Sequence, residues 1–396
     1  MQSEFVFSSE SVTRGHPDKL CDQISDKIAA GYLKKDPDAR VVAEAAMSTG
    51  IVFTSVRFWS RFGVDISALA REAITDAGYT EGRFKAKTCT IMNSLIEASS
   101  AGAIALGEGV SSEGAASLGA GDDALTGGQS TVFGFACNHT PELMPLPISL
   151  AHALSRRLDQ VREKKELPYL SPDGKTQVAV EFRGSRPHRI FGVSVSAGQS
   201  KDNVPSRQQL EDDIRERVIG PAFANEPIRP DAETRILVHP GGKGGPYRHA
   251  GLTGRKGGAD TYGEYARRSD SALSGKDPTR VERIGSYAAR YAAKHVVAAG
   301  LAEQCEVQLS YWIGSPGPVS LQVETFGTAR VTEDDIARRL RRCFDFRVGA
   351  LLRRFKLREM DPEQIYPRLA VYGHFGRTDL SLPWETLDCI DALRDA

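Results

Sequence analysis

The sequence predicts an α+β protein built from three similar blocks, each combining a mixed sheet with helices. Strand-like and helix-like segments alternate along the chain in a loosely repeated order, although no sequence repeat is visible. Neighbouring strand-like segments form hairpins more often than they flank a helix, which favours α+β over a doubly wound α/β sheet. The length of 396 residues exceeds what one ordinary core fills, so we expect two or three domains.

The first block contains, in chain order, an initial helix, a pair of strands, a second helix and a further strand. Arg40–Met47 and Ile51–Trp59 have the alternating apolar pattern of paired strands. Asp65–Ala77 is a predicted helix that ends at Gly78, because glycine favours the left-handed position after a helix. Thr88–Ile96 is predicted to form the next strand.

The second and third blocks repeat this order of elements. The predicted elements are a helix that Pro147 opens, a hairpin of 177–182 with 190–196, a helix through Leu210 and Val218, a strand at 235–238, a long helix at 281–299, strands at 306–313 and 319–325, and a helix through Ile336 and Phe344.

Two glycine-rich segments interrupt the pattern. Ala98–Thr131 contains eight glycines and few large side chains, so it is predicted to be a lid or a linker. His239–Thr279 is rich in Gly, Lys and Arg and suits a phosphate cradle, although it contains no P-loop motif; a basic solvated loop explains its composition equally well. The predicted domain limits are 1–103, a mobile loop at 104–131, 132–238 and 239–396.

The bulk composition excludes several classes of protein. Lys plus Arg and Asp plus Glu both total 51, which gives no reason to expect nucleic acid or membrane partners. The six cysteines form no C-x-x-C pair, so neither a zinc site nor a disulfide framework is predicted. The N-terminus lacks a signal-peptide pattern and no apolar run is long enough to span a bilayer. We therefore expect a soluble protein of the reducing cytoplasm.

The segment Gly15-His16-Pro17-Asp18-Lys19 precedes a predicted helix whose apolar residues recur every four positions. Proline suits the first turn of a helix, and a helix start offers free N–H groups to anions. His16 adds a proton donor, Asp18 a ligand for a hard metal ion, and Lys19 a cation that binds phosphate. This set suits a polyphosphate bound with Mg²⁺. An ordinary capped surface helix is the alternative.

Motifs along nearly the whole chain, from about residue 5 to about 385, resemble the S-adenosylmethionine synthetase (methionine adenosyltransferase) family. The motifs are FSSESVTRGHPDKLCDQISD, the STG turn at Gly50, LMPLPISLAHAL, LSPDGKTQV, GLTGRK, DTYG, SGKDP, VETFGT and YGHFGR with LPWE. The resemblance implies three similar α+β domains and a homodimer, or a dimer of dimers, with active sites at the subunit interface. It also implies that a methionine sulfur attacks C5′ of ATP, and that the released triphosphate is hydrolysed to pyrophosphate and phosphate.

The resemblance also implies roles for individual residues. Metal ligands are Asp18 and Glu282 for a pair of Mg²⁺ ions and Glu44 for K⁺; Glu282 stands where the family has an aspartate. The implied catalytic residues are His16, Lys175, Arg255 and Lys276. The implied ATP- and phosphate-binding residues are Asp173, Lys256, Asp122 and Arg280. Such a site is dense in cations because triphosphate leaves readily only when its growing charge is neutralised.

The acceptor half of the site departs from the family pattern. Arg57 and His249 replace two acids that face the methionine ammonium group, and Ala98 or a neighbour stands where the family has a glutamine. The family's adenine-stacking aromatic residue is missing, and an insertion displaces Asp122. Three hypotheses stay open: an adenosyltransferase with a different sulfur acceptor, an ordinary synthetase in which Glu108 or Glu113 binds the amine, and a non-catalytic regulatory subunit.

Overall fold

The computed structural model describes residues 4–98, 125–200, 204–242 and 244–396. The strands are β1 Glu4–Val12, β2 Arg40–Ser48, β3 Ile51–Trp59, β4 Thr90–Glu97, β5 Ser130–Cys137, β6 Leu170–Arg183, β7 Arg186–Gln199, β8 Arg235–Pro240, β9 Gly251–Leu252, β10 Gln304–Tyr311 and β11 Ser320–Glu324. The helices are α1 Pro17–Lys35, α2 Ile66–Asp76, α3 Leu146–Glu163, α4 Arg207–Ile214, α5 Gly220–Phe223, α6 Gly257–Asp260, α7 Val281–Ala298, α8 Glu333–Cys343, α9 Val348–Arg354, α10 Pro362–Leu369 and α11 Ile390–Asp395. A π-helical turn, Arg215–Ile219, joins α4 to α5.

The first sheet has the strand order β1-β6-β7-β8. Strands β6 and β7 form the predicted hairpin, and β8 lies parallel to β7. Apolar residues of β6 and β7, including Val178, Phe182 and Val195, pack against Leu150 and Leu154 of α3 to form a buried core. The edge strand β1 pairs antiparallel with β6, so the N-terminal segment joins a sheet whose other strands lie more than 150 residues later.

The second sheet has the order β4-β3-β2-β9, and helices α1 and α2 pack on one of its faces. Residues alternate along β2 and β3, as a sheet with one buried face requires. Met47 and Val52 point into the core, whereas Ile51, Phe53 and Met92 are exposed on the opposite face.

The third sheet has the order β11-β10-β5, and the Ala-rich helix α7 packs across it. Gly134 of β5 lies so close to α7 that an added Cβ would stand 1.9 Å from the carbonyl carbon of Ala289. This contact requires glycine, and it fixes α7 directly against the sheet.

The predicted α+β class is confirmed, with six of the eight strand pairings in the described ranges antiparallel. The predicted elements are also confirmed, and most of their ends differ from the prediction by only a few residues. Both strands of the β6–β7 hairpin are longer than predicted. Sequence reasoning missed β1 and the short elements β9, α6, α9, α10 and α11 because they carry no sustained apolar period. The predicted domain limits stay a prediction. Every helix within the described ranges is too short or too polar to cross a lipid bilayer.

Candidate active site

His16 caps the N-terminus of α1 and is buried where β1 leads into that helix. Its Nδ1 atom accepts a hydrogen bond from the backbone N–H of Asp18 at 3.3 Å. Because Nδ1 is the acceptor, the neutral ring carries its proton on Nε2. Gly15 approaches the start of β6 so closely that an added Cβ would lie 2.3 Å from Cβ of Pro172. The predicted helix start, with Pro17 in the first turn, is confirmed.

Three predicted site residues, His16, Asp173 and His249, meet beside the start of α1. The two imidazole rings lie 4.9 Å apart between centroids, and Nε2 of His249 lies 3.1 Å from Oδ2 of Asp173. Burial lowers the pKa of His16 to about 3, although Asp173 opposes the shift, so this ring is neutral at neutral pH. Burial would raise the pKa of Asp173, but the hydrogen bonds that its carboxylate accepts from His249 and from the Gly245 N–H outweigh burial and lower that pKa.

Glu10 joins two of the predicted cationic residues, and sequence reasoning did not foresee it. Its carboxylate accepts from Nζ of Lys256 at 2.6 Å and forms an ion pair with Lys175. Burial opposes ionisation of Glu10, but hydrogen bonds from Lys175 and Lys256 outweigh burial and lower its pKa. In the β1–β6 register, Val12 faces Lys175 and Glu10 faces Gln177, so Glu10 and Lys175 are diagonal neighbours on the sheet.

Three aspartates at four-residue spacing on α1 hold the GLTGRK and SGKDP motifs in place. Each aspartate accepts a hydrogen bond from a backbone N–H of those motifs. In addition, Nη1 of Arg255 lies 3.3 Å from Oδ1 of Asp18. The pairs are Asp18 with Leu252 N at 3.0 Å, Asp22 with Gly254 N at 2.7 Å and Asp26 with Gly275 N at 2.8 Å. The helix start and the glycine-rich segment are therefore one unit.

Lys19 lies beneath this unit rather than on its surface. Its side chain is 2% exposed, and its ammonium pairs with Asp22 at 2.8 Å and with Asp260. Burial raises the pKa of Asp260, although Lys19 opposes the shift. The structure thus places the Lys19 ammonium between two carboxylates, where it supports the fold of the site.

A second cluster of predicted residues contains Glu44, Lys276, Arg280 and Glu282. Lys276 forms an isolated antiparallel bridge with Val42 of β2, and Arg280 Nη2 lies 3.1 Å from Glu282 Oε1. Burial lowers the pKa of Lys276, with Glu282 opposing the shift. Buried Oε2 of Glu282 has no hydrogen-bond partner among the described residues, so a cation or a ligand N–H would complete this cluster.

The two clusters are separated along the molecule. Asp18 borders the first cluster, whereas Asp26, through Gly275, borders the second. The two aspartates are eight residues apart on α1, which corresponds to about 12 Å of helix rise. The two clusters therefore lie beside different turns of α1.

The remaining predicted residues within the described ranges, Arg57 and Ala98, belong to the second sheet or follow its strand β4. Glu44 and Arg57 point to the exposed face of this sheet as diagonal neighbours, since Val42 pairs with Arg57 and Glu44 with Ser55. Ala98 follows β4, and its N–H donates to the Phe58 carbonyl oxygen at 2.8 Å. Asp122, together with the alternatives Glu108 and Glu113, lies outside the described residues.

The three sheets define an α+β protein in which lysines, an arginine, histidines and carboxylates from distant segments of the chain meet in one cluster. Family models cover most of the chain: the N-terminal domain of S-adenosylmethionine synthetase matches residues 4–100, its central domain matches 119–244 and its C-terminal domain matches 243–386. The chain belongs to the S-adenosylmethionine synthetase family, which confirms the resemblance stated above.

Curated relatives match over their full length. An S-adenosylmethionine synthase of Synechococcus sp. (strain JA-2-3B'a(2-13)) is 46% identical, with 98% of this chain and 97% of the relative covered. The S-adenosylmethionine synthases of Gloeobacter violaceus and Gloeothece citriformis are 47% and 45% identical, with 100% of this chain and 98% of each relative covered.

Buried neutral histidines make the fold sensitive to acid, and His139 offers a clean test. Burial lowers the pKa of His139 to about 4, whereas an unfolded histidine titrates near 6.5. The unfolded chain therefore binds more protons between pH 4 and 6.5, so stability falls as the pH is lowered through this window. We expect His139→Gln to reduce the slope of unfolding free energy against pH by up to about 1.4 kcal/mol per pH unit. Urea titrations at several pH values measure this slope, and an unchanged slope would contradict the expectation.

Proposed function

We propose that this chain forms S-adenosylmethionine by transferring the adenosyl group of ATP to the sulfur of methionine, and then hydrolyses the triphosphate to pyrophosphate and phosphate. One observation carries the proposal: a neutral, buried histidine lies beside a cluster of lysines and an arginine that suits a triphosphate. The relatives described above are S-adenosylmethionine synthases, which supports the same reaction.

In the transfer step, a sulfur lone pair forms the bond to C5′ of ATP, and the C5′–oxygen bond breaks. Its electron pair leaves with the triphosphate, whose charge near the breaking bond grows. Lys175, Lys256 and Arg255 stand where they would bind these oxygens, and cations held in place before the reaction lower the barrier most. Glu10 orients the two lysines and keeps them from repelling each other.

His16 supplies a neutral hydrogen bond to the leaving group. Its Nδ1 accepts from Asp18 N–H, so Nε2–H is free to donate to a phosphate oxygen near C5′. A pKa of about 3 means that this donor stays in one protonation state across the neutral range. Asp173 and His249 position the neighbouring nucleotide and acceptor groups.

The acidic groups fit hard cations. Asp18 and Glu282 would hold Mg²⁺, and the unpartnered buried Oε2 of Glu282 supports that assignment. Glu44, exposed on the second sheet, would hold K⁺. Bound Mg²⁺ supplies neutralisation of phosphate charge in addition to that of Lys276 and Arg280.

A homodimer, or a dimer of dimers, would complete the site. In this proposal each of the two clusters is a half-site, and they lie beside positions of α1 that are about 12 Å of helix rise apart. Ile51, Phe53 and Met92 expose an apolar surface beside Glu44 and Arg57. Pairing this face with a second copy would bury it and bring one half-site of each copy together. The six free cysteines support a reducing, cytoplasmic environment.

Mass spectrometry of the products from ATP, Mg²⁺, K⁺ and methionine tests the reaction. We expect S-adenosylmethionine with pyrophosphate and phosphate. A parallel panel of thioethers without the amine tests whether Arg57 and His249 change the acceptor. If an amine-free thioether gave a sulfonium product and methionine gave none, that thioether would be the acceptor in place of methionine. No sulfonium from any thioether would refute the proposal.

A further inference from the structure

Tyr79 lies outside the residues discussed so far, yet its side chain reaches the centre of the site. It follows α2 directly after Gly78, whose φ of 98° turns the chain out of the helix. Its backbone N–H donates to the Ile74 carbonyl oxygen at 3.1 Å, and its ring packs edge-on against Phe84. The residue is buried and held at both its backbone and its ring, so its hydroxyl has a fixed position.

The Tyr79 hydroxyl holds the peptide that precedes His16. It donates a hydrogen bond to the Gly15 carbonyl oxygen at 2.5 Å. Gly15 is also pressed against Pro172, the residue before Asp173. The position of His16 relative to Asp173 therefore depends on a peptide that Tyr79 anchors.

The same hydroxyl contacts the opposite side of the site. A Cβ added to Gly245, which has a φ of 72°, would lie 2.8 Å from the Tyr79 hydroxyl oxygen. Gly245 N–H donates to Oδ2 of Asp173 at 2.7 Å, and the same oxygen pairs with His249. One oxygen atom thus separates the His16 loop from the segment that holds Asp173 and His249.

We propose that Tyr79 is a positioning residue for the adenosyl transfer, because its hydroxyl sets the spacing between His16 and the Asp173–His249 pair. The proposal rests on the function proposed above. Without the hydroxyl, the buried Gly15 carbonyl oxygen loses its hydrogen-bond donor. The His16 loop and the segment that holds Asp173 and His249 then move closer to each other. Displacements of about 1 Å in such sites reduce rates by about 100-fold.

The test compares Tyr79→Phe with Tyr169→Phe in the full-length protein. Tyr169 is a matched control because its hydroxyl also makes one hydrogen bond, to Asp213 Oδ2 at 2.7 Å, against the first sheet. We expect kcat for S-adenosylmethionine formation to fall at least tenfold in Tyr79→Phe. KM for ATP should change less than threefold, because the phosphate-binding lysines are untouched. Tyr169→Phe should leave both constants near their original values.

Two further measurements separate positioning from mere stability. In the double variant Tyr79→Phe with Asp173→Asn, we expect kcat close to that of Asp173→Asn alone, since both changes disturb one arrangement. Amide hydrogen exchange at His16 and Gly245 should speed up in Tyr79→Phe and not in Tyr169→Phe.

The outcomes distinguish the two proposals. Unchanged kcat and unchanged amide exchange in a folded Tyr79→Phe protein would overturn the inference while leaving the proposed function intact. An equal fall of kcat in Tyr79→Phe and Tyr169→Phe would overturn the inference as well. Absence of S-adenosylmethionine from the unmodified protein would refute the function, and the exchange data would then decide the positioning role by themselves.

Discussion

Asp26→Leu is expected to destabilise the protein by about 3–5 kcal/mol, because it leaves a buried arginine without its counter-charge. Asp26 and Arg283 are 0% and 1% exposed, and Arg283 Nη2 donates to Asp26 Oδ1 at 2.6 Å. The same carboxylate oxygen accepts Gly275 N–H, so the change also removes an anchor of the SGKDP motif. Urea denaturation of the variant and the unmodified protein measures the difference.

A double-mutant cycle makes this prediction specific. Arg283→Met should cost a similar amount, whereas Asp26→Leu combined with Arg283→Met should cost clearly less than the sum, because no unpaired charge remains. Lys27→Met is the control at an ion pair with an exposed partner: Lys27 is 21% exposed and Asp76 is 61% exposed, so loss of the pair should cost less than about 1 kcal/mol. The expectation would be contradicted if the losses of unfolding free energy in Asp26→Leu and Arg283→Met added up in the double variant. It would also be contradicted if either single variant were as stable as Lys27→Met.

Local sequence patterns predicted much of this fold correctly because they report local physics. The apolar period of Leu20, Ile24 and Ile28 predicted α1, and the alternation in 40–47 predicted β2. Pro17 in the first turn predicted where α1 begins. These features depend on residues within a few positions of each other, and the sequence displays such neighbours directly.

Long-range pairing was not visible in the sequence. Glu10 meets Lys256 only because β1 joins the sheet of β6, and the two residues are 246 positions apart. Asp22 and Asp26 were given no role from the sequence, yet they accept hydrogen bonds from backbone N–H groups far along the chain. Tyr79 carried no motif of its own. Periodicity states which face of an element is buried, but not which element covers it.

The same limit explains Lys19. A cation at a helix start suits a phosphate when seen in isolation. The structure instead surrounds its ammonium with Asp22 and Asp260, contributed by its own helix and by α6. Lys256, four residues before Asp260, instead pairs with Glu10, which also pairs with Lys175. Which of two nearby lysines meets the ligand is therefore decided by tertiary packing.

Lys256→Met is accordingly expected to lower kcat for adenosyl transfer by about 100- to 1000-fold, the usual effect of removing one group that stabilises developing charge. Lys256 Nζ lies 2.6 Å from Glu10, in the cluster that would receive the triphosphate. Its loss also leaves the Glu10 carboxylate paired with Lys175 alone, so more negative charge would face the triphosphate. Lys164→Met, at the exposed C-terminus of α3, is the control and should keep full activity.

Lys19→Met provides the decisive contrast, because the two lysines differ in what surrounds them. Removing the Lys19 ammonium leaves Asp22 and Asp260 facing each other, and Asp260, whose pKa burial already raises, can take up a proton. We therefore expect Lys19→Met to lower the melting temperature while the folded fraction keeps most of its rate of tripolyphosphate hydrolysis. Lys256→Met should do the reverse, losing that rate with little change in melting temperature. Equal loss of hydrolysis in both folded variants would show that Lys19 also binds the phosphates.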